Sequence, residues 1–129
     1  MLFYEEYPAI PAPHVLDGFL FALLGLHDVH SEFGLAKAKE RLEVGIYTLK
    51  AYMPTWNYKD TWSYYNRYKR LSTRVYHKWN TILLGVLAEQ IGDQHMLQTA
   101  QAWNIHGHGL GQLIDVFTRL FVQEYLVRR

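Results

Sequence analysis

The sequence predicts an all-α fold of helical hairpins, the unit of α/α toroids, with an irregular aromatic and basic loop between two hairpins. Three observations predict it. Apolar residues recur at helical spacing through five segments separated by short breaks rich in Gly or Pro. FLFALLGLHDVHSEFGLAKAK and WNTILLGVLAEQIGDQHMLQTA share one order: an apolar helix with an inner Leu-Gly, a Gly-marked turn, then a more polar helix. A chain of 129 residues, 50% hydrophobic and 19% charged, has the length and balance of one domain with a core, taken as 1–129.

The elements follow in order. EEYPAIPAPH holds three prolines, which fix an extended segment and forbid helix until about His14. A helix buried for most of its length runs from Val15 to Phe33, and Gly34 stops it. The next, LAKAKERLEVGIYTLKAYM, has Leu35, Ala38, Leu42 and Leu49 inside and Lys37, Lys39, Glu40 and Glu43 outside, with Pro54 as its end. Residues 55–74 keep neither a helical nor a strand period and read as irregular, with a short hairpin around Tyr58-Lys59-Asp60. Helix returns at VYHKWNTILLGVLAEQIG, followed by a shorter helix capped by Asp93 and a last one from about Leu110 to Leu126.

A formal charge of +1 gives no global pull toward nucleic acid or a membrane. The longest apolar run, GFLFALLGL, is far short of the roughly 20 residues that span a bilayer. Glu5 and Glu6 stand where a secretory leader would be basic, so no signal peptide is expected. Without cysteine there is no disulfide, zinc ribbon or thiol nucleophile. HDVH at 27–30 and HGH at 106–108 each offer two imidazoles and no obvious third ligand, so neither a metal nor another cofactor is expected. The glycines of GHGLG follow a helix, which fails the context of a nucleotide-binding loop.

One stretch is unusual. Residues 61–79, TWSYYNRYKRLSTRVYHKW, contain four tyrosines, two tryptophans, five Lys/Arg and a histidine without one carboxylate. Aromatic rings interleaved with cations suit sugar rings that carry carboxylates or sulfates, and also single-stranded nucleic acid, the weaker alternative. Equally, the rings could simply pack a core while the cations face water. Tyr7 and Tyr76 both stand where a buried helix begins, which in a helical toroid lines the cleft.

EEYP, VLDGFLFALLGLHD, GIYTLKAYMP, WSYYN, VYHK and GDQHMLQTAQAW together resemble the C-terminal domain of the D-glucuronyl C5-epimerases, in order and spacing, from Glu5 to about Trp103. The resemblance implies conversion of D-glucuronate to L-iduronate within a heparan-type polysaccharide. It implies active-site tyrosines at Tyr7, Tyr65 and Tyr76, with Tyr64 a close rival for the middle position because Asn66 stands where the family has Asp. Three departures stand out: Asp17 replaces an Asn, a longer loop between Tyr65 and Tyr76 is missing, and the family's N-terminal domains have no counterpart here. Without such domains, the inner helices are expected to need a homo-oligomer or a partner chain.

The chemistry explains the composition. Inverting C5 requires removing a proton next to a carboxylate and returning one from the opposite face, so two acid/base groups must flank the ring and cations must neutralise the carboxylate. A phenol serves as base if positive charge lowers its pKa from about 10. By the resemblance Tyr76 is one acid/base and Tyr7 or Tyr65 the other, with Glu6 assisting. Arg67, Arg70, Arg74 and His77 are the candidates for binding carboxylate or sulfate. A polysaccharide lyase, or an inactive glycan-binding or oligomerising module, is the alternative.

Overall fold

The computed structural model describes residues 1–125; the expected end of the last helix at Leu126 lies outside them. The fold is all-α: α1 (Leu16–Phe33), α2 (Ala36–Trp56), α3 (Arg74–Ile91), α4 (Gln94–Ala102) and α5 (Leu110–Tyr125), with a small hairpin of β1 (Asn57–Tyr58) and β2 (Trp62–Ser63). α1 packs against α2, α3 against α4, and α1 against α3, so the two hairpins join through their first helices. The core between them is built of Leu16, Leu20, Leu23, Leu49, Met53, Leu84, Leu87 and Met96, all buried, with Phe19, Trp56 and Trp103 closing its end.

Two helix ends are where the sequence puts them. Gly34 ends α1 in the left-handed conformation (φ 62°), its N–H on His30 O. Asp93 caps α4, its side chain accepting from Met96 N at 2.9 Å. The repeat holds at the level of helices and not of glycines. Gly25 faces open space, whereas the close approach in the first hairpin is at Gly45 of α2, where a Cβ would sit 2.3 Å from Leu23 Cδ2. In the second hairpin the close contact is Gly85 of α3 against Ala100, so the small residue has changed helix.

Pro54 does not end α2, which continues through Trp56. A proline in the final turn forfeits one backbone bond, and here buried Trp56 holds that turn down by donating Nε1–H to His14 O at 2.9 Å.

The expected hairpin forms. Thr61 N–H closes on Tyr58 O at 3.0 Å across Lys59 and Asp60, both at positive φ (50° and 54°). Asn57 supports the strained pair by donating to Asp60 Oδ1 at 2.7 Å.

Beyond the hairpin the chain is irregular but tightly held. Ser72 N–H donates to Ser63 O at 3.0 Å, and Tyr64 bridges to Leu71 in antiparallel sense. Asn80 of α3 donates to the hydroxyls of both Ser63 and Ser72 (3.0 and 3.1 Å), and Trp62 Nε1 donates to Ser72 O at 2.8 Å. This buried network fixes residues 62–72 on α3. α5 then covers them: buried Val116 joins Tyr58, Trp62 and Leu71 in a second small core, and the Gln123 side-chain amide exchanges two hydrogen bonds with the Leu71 backbone (2.8 and 3.0 Å).

Among the described residues no helix is long and apolar enough to cross a membrane.

Candidate functional site

The N-terminal segment is strapped across α1 and α2. Leu2 N–H donates to Thr48 Oγ1 at 3.1 Å, Tyr4 OH donates to Arg41 O at 2.7 Å, and Phe3 stacks on His14 with ring centroids 3.7 Å apart. Glu5 takes both the His14 backbone N–H, at 3.1 Å, and its ring. The next residue, Glu6, lies against Gly18 in the first turn of α1, where a Cβ would meet Glu6 Cβ at 2.9 Å. A glycine at this position therefore lets the segment descend onto the start of α1. That start needs a partner, because Val15 supplies no side-chain cap and the first backbone N–H groups of a helix are orphans. Tyr65 O accepts from Leu16 N at 3.0 Å, and Pro13 O accepts from Arg67 N at 3.0 Å. The irregular loop is thus joined to the beginning of α1.

These contacts assemble most of the expected residues. Tyr65 and Tyr76 are in ring contact, centroids 5.2 Å apart and planes at 57°. With Arg70, Leu71 and Thr73 they line a cavity of about 150 Å³. Tyr7, Glu6 and Asp17 lie close enough to act on Tyr65: burial first, then their charges and that of Tyr76, push its phenol up to about 12. Asp17 is itself buried, its pKa raised by desolvation, and its Oδ1 makes no hydrogen bond. Thr73 caps α3 by accepting from Tyr76 N at 3.4 Å, which presents Tyr76, 42% exposed, at the rim.

The electrostatics at Tyr65 reverse the expectation of a phenol acidified by cations. Most of the basic segment turns its charges elsewhere: Lys69 Nζ lies 4.9 Å over the Tyr64 ring and Arg67 5.2 Å over Tyr68, while Arg70, which lines the cavity, pairs with Glu124 at 3.3 Å. The charges of Glu6 and Asp17 instead raise the pKa of Tyr65. A phenol so placed keeps its proton at neutral pH and can give it rather than take one.

His77 is a correction. It was expected to bind a carboxylate or sulfate, and it is 3% exposed, stacked on Trp62 with centroids 3.7 Å apart. Its Nδ1 accepts from Ser63 N–H at 3.0 Å, which places the ring proton on Nε2, and that group donates to Trp103 O at 2.8 Å. Burial lowers its pKa to about 4. His77 is therefore a neutral core residue with both nitrogens committed.

Among the other expected residues, Arg74 is exposed in the first turn of α3, Arg67 is exposed, and Asn66 accepts from Tyr68 N at 3.1 Å as a turn residue. Tyr64 is not beside Tyr65 in space. Consecutive side chains of an extended segment point to opposite faces, and Tyr64 packs edge-on against Tyr58 at 5.6 Å, toward α5.

Comparison with known proteins bears on the part that builds this site. The family model described as "D-glucuronyl C5-epimerase C-terminus" matches residues 1–105. The chain belongs to this family. It is 30% identical to a D-glucuronyl C5-epimerase of Caenorhabditis elegans over 84% of its length, and 27% identical to an uncharacterized protein of Methanocaldococcus jannaschii over 78%. It spans 20% of the first and 32% of the second, so it corresponds to a fraction of each relative. No solved structure matches it. Glu6, Tyr7, Asp17, Tyr65 and Tyr76 all fall in the family-matched region, and α5 lies beyond it.

Proposed function

We propose that this epimerase-family domain acts at C5 of a uronic acid within a polysaccharide, converting D-glucuronate to L-iduronate by proton removal and return. The observation that carries the reading is the convergence of Tyr65 and Tyr76 in one cavity with Arg70. A sugar ring held between two aromatic faces needs roughly 7 Å between them, twice a carbon contact distance of about 3.5 Å. Rings 5.2 Å apart leave no such space, so Tyr65 and Tyr76 serve one face of the sugar and Tyr7 the other.

The reaction is then a transfer across the ring. A base on the Tyr7 side takes the C5 proton, with Glu6 assisting, and the electron pair delocalises into the substrate carboxylate. Tyr65, which holds its proton, returns one to C5 from the opposite face, supported by Tyr76. Arg70, the cation that lines the cavity, offsets charge on the carboxylate.

A cavity of about 150 Å³ is below the roughly 300–1,000 Å³ usual for ligand sites, so further protein completes the cleft. Beside Tyr76, α3 exposes Val75, Trp79, Ile82 and Val86 as one stripe, and Phe21 of α1 meets Trp79 at 6.2 Å. An uncovered apolar face of this kind fits a second copy of the chain or a partner chain.

Incubation with a desulfated heparosan-type polysaccharide in D₂O tests the reading. Deuterium should enter at C5 of the uronic acid; Tyr65→Phe should lower the rate about 10²-fold to 10⁴-fold, the usual cost of losing an acid/base group, and Tyr76→Phe should lower it by less. Unchanged exchange in either variant removes that tyrosine from the chemistry. Binding without exchange favours the glycan-binding module, and an unsaturated product favours the lyase.

A further inference from the structure

A second and larger cavity lies on the other side of residues 62–72, between that loop and α5. It measures about 580 Å³, within the range of ligand-binding pockets. Tyr58, Tyr64 and Tyr68 supply its aromatic walls, and Lys69, Arg70 and Arg119 supply its cations, with no carboxylate in the lining. Behind it, Asp115 and Glu124 orient two of these cations: Arg119 Nε donates to Asp115 Oδ1 at 3.2 Å, and Arg70 pairs with Glu124 at 3.3 Å. Lys69 Nζ donates to Thr55 O at 3.1 Å. A guanidinium has five N–H donors and an ammonium three, so each cation keeps donors for a ligand. The walls are held as firmly: Tyr58 OH donates to Asp115 Oδ2 at 2.6 Å, and Tyr68 OH to Pro11 O at 3.1 Å.

This cavity touches the first. Arg70 and Leu71 line both, so the two are adjacent along one loop. α5, which closes the larger cavity, lies outside the family-matched residues, so the family alone does not account for it.

We propose that the α5 cavity is a second sugar subsite, which holds the next uronic-acid residue of the polymer, one hexosamine beyond the reacting one, by stacking on Tyr64 or Tyr68 and pairing its carboxylate with Arg119 and Lys69. The identity of that sugar rests on the uronate-polymer reading above. A ring-stacking wall with cations at its edge suits an anionic pyranose, whose carboxylate would use the donors that Arg119 and Lys69 have left; an uncharged sugar would use only the stacking wall. The shared Arg70 places one residue of the chain in each cavity.

The test is titration of the ¹⁵N-labelled 129-residue chain with a heparosan tetrasaccharide of alternating glucuronate and N-acetylglucosamine, with uncharged chitotetraose as control. The acidic probe should shift the backbone amides of Tyr64, Leu71, Thr118 and Val122, and salt should weaken the effect. Arg119→Gln should reduce affinity about tenfold or more, as loss of a hydrogen bond to a charged group does. Val122→Trp, which fills the cavity without touching a cation, should abolish the shifts at Tyr64 and Thr118. Absence of shifts at these amides, or equal shifts with chitotetraose, overturns the subsite. Shifts without C5 deuterium exchange uphold the subsite and overturn the epimerase reading; exchange without shifts does the reverse.

Discussion

Tyr64 and Tyr65 are neighbours in the chain and face opposite environments. Tyr65 turns toward α1 and α3, where it meets Tyr76 in a small cavity built wholly from family-matched residues, with the charges of Glu6 and Asp17 acting on its phenol. Tyr64 turns toward α5, meeting Tyr58 and the cations of a cavity nearly four times larger. The alternation of an extended backbone does the sorting. One segment of five residues can thus present a proton-holding phenol on one side and a sugar-stacking ring on the other. Composition alone merges the two: it shows a block of tyrosines and cations, and implies that the cations tune the phenols. In the fold Lys69 and Arg119 lie on the Tyr64 side, and only Arg70 lines the cavity of the proton-holding tyrosine as well.

The largest expected effect comes from removing what both faces share. Trp62 stacks on His77, donates to Ser72 O and packs edge-on against Phe117 of α5 at 6.0 Å. Trp62→Ala should cost about 3–5 kcal/mol, as large-to-small changes at buried aromatics do, read as a drop in the urea midpoint. It should also shift amides around both cavities. Loss confined to one side would break the account of a common support.

Next comes the pH response of the same support. Folded His77 sits near 4 against about 6.5 when unfolded. Between these values the unfolded chain binds the proton and the folded one does not, so stability falls as pH drops from about 6.5 to about 4. The loss is roughly 3 kcal/mol. His77→Gln should remove that share of the pH dependence, measured as the difference between the two urea-denaturation profiles. Parallel profiles would contradict the assignment of His77 to the core.

A smaller and one-sided effect sharpens the comparison. Tyr58→Phe removes the hydroxyl that donates to Asp115 and should speed hydrogen exchange at Val116 and its neighbours in α5. Amides near Tyr65 and Tyr76 should keep their protection. Equal loosening on both sides would mean that the cavities are one unit.

Much of this was legible in the sequence. Helical periodicity, Gly34, Asp93 and the Tyr58-Lys59-Asp60 turn locate elements whose signals are local. Glu6, Tyr7, Asp17, Tyr65 and Tyr76 were singled out through the motifs they sit in, and the fold brings Tyr65 against Tyr76. His77 was misread because its neighbour Tyr76 is exposed, although the spacing of His77, Asn80, Leu84 and Leu87 marks one buried face of α3. Pro54 was given too much weight, since one missing bond in a final turn is outweighed by burial of Trp56. The cavity against α5 had no local signal: Tyr58 meets Asp115 across 57 residues, and Leu71 meets Gln123 across 52. Only the docking of α5 brings those groups together.

The central claim is the division of labour between Tyr65 and Tyr64, and deuterium incorporation at C5 of a heparosan-type substrate by the two single variants tests it most directly. Tyr65→Phe should lower the exchange rate at saturating substrate about 10²-fold or more, because a proton donor is lost. Tyr64→Leu should leave that rate nearly unchanged and raise the substrate concentration needed to reach it, because stacking is lost. A rate that collapses in Tyr64→Leu and survives in Tyr65→Phe would contradict the account.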